Sequence, residues 1–122
     1  MSNQKKTLVL GASDNPSRYS YLAIRKLRSK EHPVEAIGKF NTQVDDVQIT
    51  KEKAPFTDID TVTLYLNPLH QRDYYDYILS LHPKRIIFNP GAENDELAEL
   101  AKKNNIQPVE ACTLVMLSTN QY

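Results

Sequence analysis

A short apolar run that passes through a glycine turn into a helix-like segment lies within residues 6–27, and it constrains the fold more than any other feature. The run covers residues 8–10, the turn starts at Gly11, and apolar residues recur at helical spacing between Leu22 and Leu27. A buried strand that feeds a tight turn and then a helix leaves the first N–H groups of that helix unpaired, which suits a phosphate. The segment therefore predicts the opening of a nucleotide-binding βα unit.

Strand-like and helix-like runs alternate along the rest of the chain. The predicted strands cover residues 7–10, 34–37, 61–66, 85–88 and 107–111. The predicted helices cover residues 20–30, 69–81 and 93–103, with a closing helical turn at 113–117. The segment 41–60 is expected to cross one edge of the sheet, with a brief extended piece at 47–49. This alternation predicts an α/β fold: a Rossmann-like, doubly wound parallel sheet of five strands in the order 3-2-1-4-5, with helices on both faces.

Composition limits the classes of partner. The 122 residues are expected to form a single domain, and the 15 basic and 15 acidic side chains balance, so no overall field favours nucleic acid or an anionic membrane. No apolar run approaches the length of a membrane span, and a single cysteine excludes a disulfide within the chain. We expect a cytoplasmic domain that binds neither nucleic acid nor membrane.

The candidate binding residues follow from the sheet, because ligands of such folds lie beyond the carboxyl ends of the strands. All three glycines of the sequence fall at or near these ends. The candidates at the ends of the five predicted strands are Gly11, Ala12 and Ser13, then Lys39 after Gly38, then Asn67 and Pro68, then Asn89, Pro90, Gly91 and Ala92, and finally Cys112.

The first loop and the end of the second strand indicate which nucleotide fits. The loop keeps only the first glycine of the dinucleotide pattern G-x-G-x-x-G, but Ser13 and Ser20 offer hydroxyls and Arg18 can clamp a phosphate. A site for NAD needs an acidic residue after the second strand, whereas this chain has Lys39 there. A cation at that position favours a phosphorylated ribose, as in NADP or coenzyme A.

The motif G-A-S-D-N-P-S-R-Y-S-Y, the lysine after strand two, the run F-N-P-G-A-E-N-D and the late cysteine together resemble the small stand-alone CoA-binding proteins. These are Rossmann-type domains similar to the CoA-binding domain of the succinyl-CoA synthetase alpha subunit, and the resemblance extends from Lys6 to about Leu117. It implies that the Gly11 turn, Arg18 and Ser20 hold CoA phosphates and that Lys39 meets the ADP moiety. The loops after strands three and four would line the rest of the crevice.

Residues for catalysis are harder to find than residues for binding. His32 and His82 each precede a proline at turns opposite the crevice, and His70, at the start of the helix after strand three, has no evident acid partner by spacing. No serine lies in a nucleophile elbow and no carboxylate pair has metal-ligand spacing, so no catalytic or metal residue is predicted. Cys112 is either a small buried hydrophobe or a thiol that faces the crevice and the CoA thiol.

The sequence therefore favours a carrier, sensor or regulatory module that binds CoA or an acyl-CoA without turnover. An NADP- or other nucleotide-dependent enzyme, and a protein-interaction module with a vestigial pocket, remain alternatives. Tyr75 and Leu79 lie on a different helical face from the apolar stripe and leave a homo-oligomer open.

Overall fold

A parallel-dominated sheet of seven strands organises the computed structural model, which describes residues 4–122. Five of the strands correspond to the predicted ones, and two short strands were not predicted as a pair. The strands are β1 (Thr7–Ala12), β2 (Val34–Gly38), β3 (Thr42–Val44), β4 (Val47–Thr50), β5 (Thr61–Leu64), β6 (Arg85–Phe88) and β7 (Gln107–Glu110). The predicted α/β class is confirmed.

The order of the strands differs from the prediction. The sheet has the order β3-β4-β2-β1-β5-β6-β7, so the strand at Thr61–Leu64 pairs with β1 and not with β2. The place beside β2 is taken by β4, which the sequence had suggested only as a brief extended piece. Since a strand has only two edges for hydrogen bonding, β4 on the outer edge of β2 leaves β5 the free edge of β1. All pairings are parallel except that of β3 with β4.

The helices cover both faces of the sheet, as predicted. They are α1 (Tyr19–Ser29), α2 (Pro68–Gln71), a 3₁₀ turn (Arg72–Tyr74), α3 (Tyr75–Ser80), α4 (Asp95–Lys103) and α5 (Thr113–Ser118). The single helix predicted for residues 69–81 is thus broken into three short pieces. The helical face with Tyr75 and Leu79, which left a homo-oligomer open, is half-buried in the structure. Both side chains pack against the core. None of the helices within residues 4–122 is long and apolar enough to cross a membrane.

Alternating side chains of β1 supply two separate cores. Leu8 and Leu10 point into a cluster with residues of α3 and α4, such as Ile78 and Leu97, whereas Val9 points into a cluster with residues of α1 and α5. All three strand residues are fully buried, which is expected for a strand in the middle of a sheet covered on both faces. This burial fixes β1, and with it the loop that leaves its carboxyl end.

The β3–β4 hairpin is attached to α1 by two ion pairs. Arg25 lies 3.3 Å from Asp45, and Arg28 lies 2.8 Å from Asp46. The hydrogen bond from Arg28 lowers the pKa of Asp46 below its ordinary value. Both pairs are at the surface, where such contacts contribute little stability each, but together they orient the hairpin beside the helix.

The amino ends of the strands are covered by Tyr122. Its ring lies 5.0 Å from the ring of His32 and 4.3 Å from the guanidinium carbon of Arg85, measured to the ring centre. Lys5 donates from Nζ to the main-chain oxygen of Tyr122 at 2.7 Å and from its backbone N–H to Nδ1 of His32 at 2.9 Å. The last described residue is therefore packed against the segment that leads into β1.

Candidate functional site

The carboxyl ends of the parallel strands meet at one edge of the sheet, where the strand order reverses between β1 and β5. β2 and β4 lie on one side of this point, and β6 and β7 lie on the other. Gly11 stands at the reversal with φ +92°, and a Cβ built on it would lie 3.0 Å from the carbonyl carbon of Tyr65. Both the backbone angle and the close approach require glycine here. In doubly wound folds, ligands bind beyond the strand ends at such a reversal point, which here is beside Gly11.

The loop between β1 and α1 is shaped by its own hydrogen bonds. The hydroxyl of Ser13 accepts from the N–H of Asn15 at 3.0 Å, and the side chain of Asn15 accepts from the N–H of Ser17 at 3.0 Å. The N–H of Arg18 donates to the carbonyl of Asn15 at 3.0 Å. These contacts hold the loop in one conformation before any ligand arrives.

At the N-terminus of α1, backbone N–H groups have no acceptor in the described part of the chain. Arg18 is its N-cap residue and provides no side-chain cap, and the first intrahelical bond runs from the N–H of Leu22 to the carbonyl of Arg18. Within residues 4–122, the N–H groups of residues 19–21 have no acceptor, and the exposed side chain of Arg18 has no partner. Ser20 is buried in the first turn of this helix. The arrangement suits an anion, because the positive end of the helix dipole and an unpaired arginine occur at the same helix end.

The N-terminus of α4 is different in each of these respects. The side chain of Asn94 caps it by accepting from the N–H of Leu97 at 3.2 Å, and Asp95 and Glu96 occupy its first turn. Acidic side chains already satisfy the dipole there and repel an anion. Of the two longest helices in the described part of the chain, α1 and α4, α1 is the one suited to a phosphate.

The connection from β2 to β3 lies directly against the first loop. A Cβ on Gly38 would lie 2.3 Å from the carbonyl oxygen of Ala12, so glycine is needed here for packing between strand ends. At the other end of the connection, Thr42 donates from its hydroxyl to the carboxylate of Asp14 at 2.7 Å. Lys39 lies between these two contacts with an exposed side chain that pairs with nothing in the described part of the chain. The backbone of this exposed lysine is therefore held next to the loop that leads into α1.

The loops after β5 and β6 are joined by a buried glutamine. Gln71 is fully buried, and its amide nitrogen donates to the carbonyl of Leu66 at 2.7 Å and to that of Ala92 at 2.8 Å. Its side-chain oxygen accepts from the amide of Asn94 at 2.9 Å. Sequence reasoning missed Gln71 and Asn94, because a glutamine within a polar helical segment gives no sign that it is buried.

The two asparagines predicted at this edge have structural roles. The side-chain oxygen of Asn67 caps α2 by accepting from the N–H of His70 at 3.0 Å. Asn89 is buried and donates to the hydroxyl of Thr63 and the carbonyl of Leu64, while its oxygen accepts from the N–H of Thr113. The side chain of Asn89 is thus used within the protein, and this edge can present only the backbone near it. The prolines after these residues, Pro68 and Pro90, are exposed, as is Gly91, whereas Ala92 is buried.

Cys112 lies at the end of β7 and is the N-cap residue of α5, half-buried and free. Close to it, the hydroxyl of Tyr65 is buried without a hydrogen-bond partner in residues 4–122. Burial raises the pKa of Tyr65, so this phenol stays neutral. In the same described region, no group of three His, Cys, Asp or Glu side chains is placed to hold a metal ion.

Comparison with known proteins shows a protein family whose model matches nearly the whole chain. A family model described as "CoA binding domain" matches residues 5–118. A crystal structure of an uncharacterized protein has 48% sequence identity and a TM-score of 0.96, covering 99% of this chain and all of the other. No curated protein matches the sequence significantly.

Two more distant structures share the fold. A Thermus thermophilus protein has 21% identity and a TM-score of 0.81, covering 98% of this chain and 91% of its own. A hypothetical protein from Pyrococcus horikoshii OT3 has 20% identity and a TM-score of 0.85, covering 96% of this chain and 84% of its own. At such identities the likeness is evidence for the fold alone.

Proposed function

The chain belongs to the CoA binding domain family, and we propose that it binds coenzyme A or an acyl-CoA at the carboxyl edge of its sheet, without turnover. One observation carries most weight: the N-terminus of α1 lies beside Gly11 with unpaired N–H groups, no acidic residue in its first turn and an arginine as N-cap. A pyrophosphate is the part of CoA that such a helix end can bind.

The phosphates of CoA then have separate partners. The pyrophosphate lies against the first turn of α1, where Arg18 provides a charged donor and Ser13 lines the preceding loop. Lys39, on the connection that contacts the same loop through Gly38, meets the phosphate on the ribose. The pantetheine arm crosses Gly11 towards the loops after β5 and β6, with Cys112 further along the same edge.

A binding role is supported by the environment of the histidines. Among residues 4–122, none of the three histidine side chains is hydrogen-bonded to a carboxylate, the arrangement that usually orients a histidine for proton transfer. We therefore favour a carrier, sensor or regulatory module over an enzyme. Lys39 also suits NADP, which makes an NADP-dependent enzyme the second candidate.

Isothermal titration calorimetry with CoA, acetyl-CoA, NADP and ATP, run side by side on the full chain, tests the proposal. We expect CoA or acetyl-CoA to bind more tightly than the other two. Tight binding of NADP with no response to CoA would favour the enzyme. Failure of all four to bind would favour an interaction module with a vestigial pocket.

A further inference from the structure

The large aromatic side chain that follows Lys39 is exposed to solvent. Phe40 is 73% exposed, in a short connection that links β2 to β3. An exposed phenyl ring leaves much apolar area in water, and burying it against a ligand would recover that free energy. Tyr19, the first residue of α1, and Leu69, in α2, are exposed to a similar extent.

The backbone around Phe40 is held at several points. Gly38 is pressed against the carbonyl of Ala12, and Thr42 is bonded to Asp14. Between them, the side chain of Asn41 accepts from the N–H of Lys51 at 3.1 Å. The connection is thus attached to the first loop at Gly38 and at Thr42, and through Asn41 to the residue that follows β4.

We propose, on the premise that this edge binds CoA, that Phe40 is the platform on which the adenine base stacks. Its neighbour Lys39 is the cation assigned to the ribose phosphate, and the base and that phosphate are carried by one ribose. When the ribose phosphate contacts Lys39, the base on the same ribose is therefore close enough to contact the side chain next to Lys39. The flat, exposed ring of a phenylalanine matches the face of a purine, and stacking does not require hydrogen bonds from the protein.

The two other apolar side chains that are exposed to a similar extent fit this role less well. Leu69 lies in α2, which follows β5, across the reversal point from Lys39. Tyr19 is the first residue of α1, at the helix end assigned to the pyrophosphate. Phe40 alone of the three lies next to the residue assigned to the ribose.

The test uses etheno-CoA, a fluorescent analogue of CoA whose modified adenine is quenched when it stacks on an aromatic ring. Binding to the unaltered chain should quench the fluorescence. Phe40→Ala should abolish the quenching and weaken CoA and dephospho-CoA by the same factor, about five- to a hundredfold. Phe40→Tyr should restore both signals. Leu69→Ala, which removes an equally exposed apolar side chain at the same edge, should leave the quenching unchanged.

The possible outcomes separate this inference from the proposed function. CoA binding that is unaffected by Phe40→Ala, or quenching that is lost in Tyr19→Ala but kept in Phe40→Ala, would overturn the stacking assignment while leaving CoA binding in place. If the unaltered chain does not bind CoA, the proposed function fails. In that case, quenching of etheno-ADP that depends on Phe40 would still support the platform, and its absence would overturn it. Circular dichroism of each variant checks that it is folded.

Discussion

At the scale of single residues, the candidate side chains differ in how far the fold already uses them. Asn89 is buried, with both ends of its amide bonded to the protein, and Asn67 is used as a helix cap. Arg18 and Lys39 are exposed and have no partner among the residues that the structure describes. Affinity for a charged ligand is therefore expected to depend on the two cations, and stability on the asparagines.

Replacing each cation should reveal which phosphate it meets. Charge-assisted contacts to phosphate contribute about 1.5–3 kcal/mol each, so Arg18→Ala and Lys39→Ala should each weaken CoA roughly ten- to a hundredfold. Arg18→Ala should weaken ADP and CoA alike, whereas Lys39→Ala should spare dephospho-CoA. Calorimetry with the three ligands checks this, with Lys103→Ala at the end of α4 as control. Equal losses for CoA and dephospho-CoA in Lys39→Ala would contradict the assignment to the ribose phosphate.

Two glycines allow a matched comparison of packing and backbone strain. Gly38→Ala places a methyl group 2.3 Å from the carbonyl oxygen of Ala12, so strand ends must separate. Gly91→Ala places its methyl in open space and costs only the strain of φ +91°, about 1 kcal/mol. We expect Gly38→Ala to lower the midpoint of urea unfolding more than Gly91→Ala. The reverse order would show that β2 and β1 are less closely packed than described.

At the scale of elements, strands and helices were predicted correctly where the residues next to each other in the sequence define them. The bounds of β6 match the prediction in full, because its four residues, three of them buried and apolar, lie between a proline–lysine pair and an asparagine–proline pair. The helix predicted for residues 69–81 is interrupted by a 3₁₀ turn at Arg72–Tyr74, and just before that turn Gln71 is buried and bonds two loops. The residues next to Gln71 in the sequence do not reveal that its side chain bonds to distant loops.

The β3–β4 hairpin accounts for the largest error. Its strands have three and four residues, and its turn depends on Asp45 adopting φ +52°, a conformation more often taken by glycine. Without glycine at the turn, the sequence lacked the usual hairpin signal. The strand order was wrong for the same reason, since the missed β4 takes the place assigned to β5. At the site, strand ends could be predicted, but the Gln71 network could not.

Removing the buried amide between the loops tests that network. Gln71→Leu leaves the carbonyls of Leu66 and Ala92 without this donor and removes one of the two acceptors of the Asn94 amide, which also donates to the hydroxyl of Tyr75. A buried polar group left unpaired costs about 1–3 kcal/mol, so we expect a loss of roughly 2–5 kcal/mol in the free energy of unfolding. Asn104→Ala, which removes an exposed side-chain bond, is the control. Equal stability of the two variants would show that water replaces the glutamine.

At the scale of the whole molecule, the two edges of the sheet differ in the groups that they expose to solvent. The carboxyl edge presents unpaired donors and cations, whereas the amino edge is closed by Tyr122 packed on His32 and Arg85. Burial raises the pKa of the Tyr122 phenol, which keeps it neutral over the ordinary pH range. Stability and binding are thus expected to respond to different substitutions.

The amino edge should make stability depend on pH through His32. Its pKa is lowered from the ordinary value of 6.5, first by burial and then by the charges of Lys5 and Arg85, with Asp60 opposing. The unfolded chain therefore binds a proton at higher pH than the folded one. Stability is fully present above about pH 6.5 and declines as the pH falls towards the lowered folded pKa.

His32→Asn separates this titration from the packing, because its side-chain oxygen can accept the N–H of Lys5 as Nδ1 does. We expect urea midpoints between pH 7.5 and pH 5 to fall less for this variant than for the unaltered chain. His82→Asn, at an exposed turn, should keep the full decline. An unchanged decline in His32→Asn would assign the acid sensitivity to other groups.

The contact between Lys5 and Tyr122 also brings the two ends of the described chain together, with Nζ of one 2.7 Å from the main-chain oxygen of the other. A short linker could therefore join them, and new ends could be opened between Asn104 and Asn105 in the exposed turn that leads into β7. Such a circular permutant would keep the strand pairings in space while changing their order in sequence. The crevice lies at the opposite edge, so ligand affinity should survive the rearrangement, whereas the order in which the strands assemble during refolding should not.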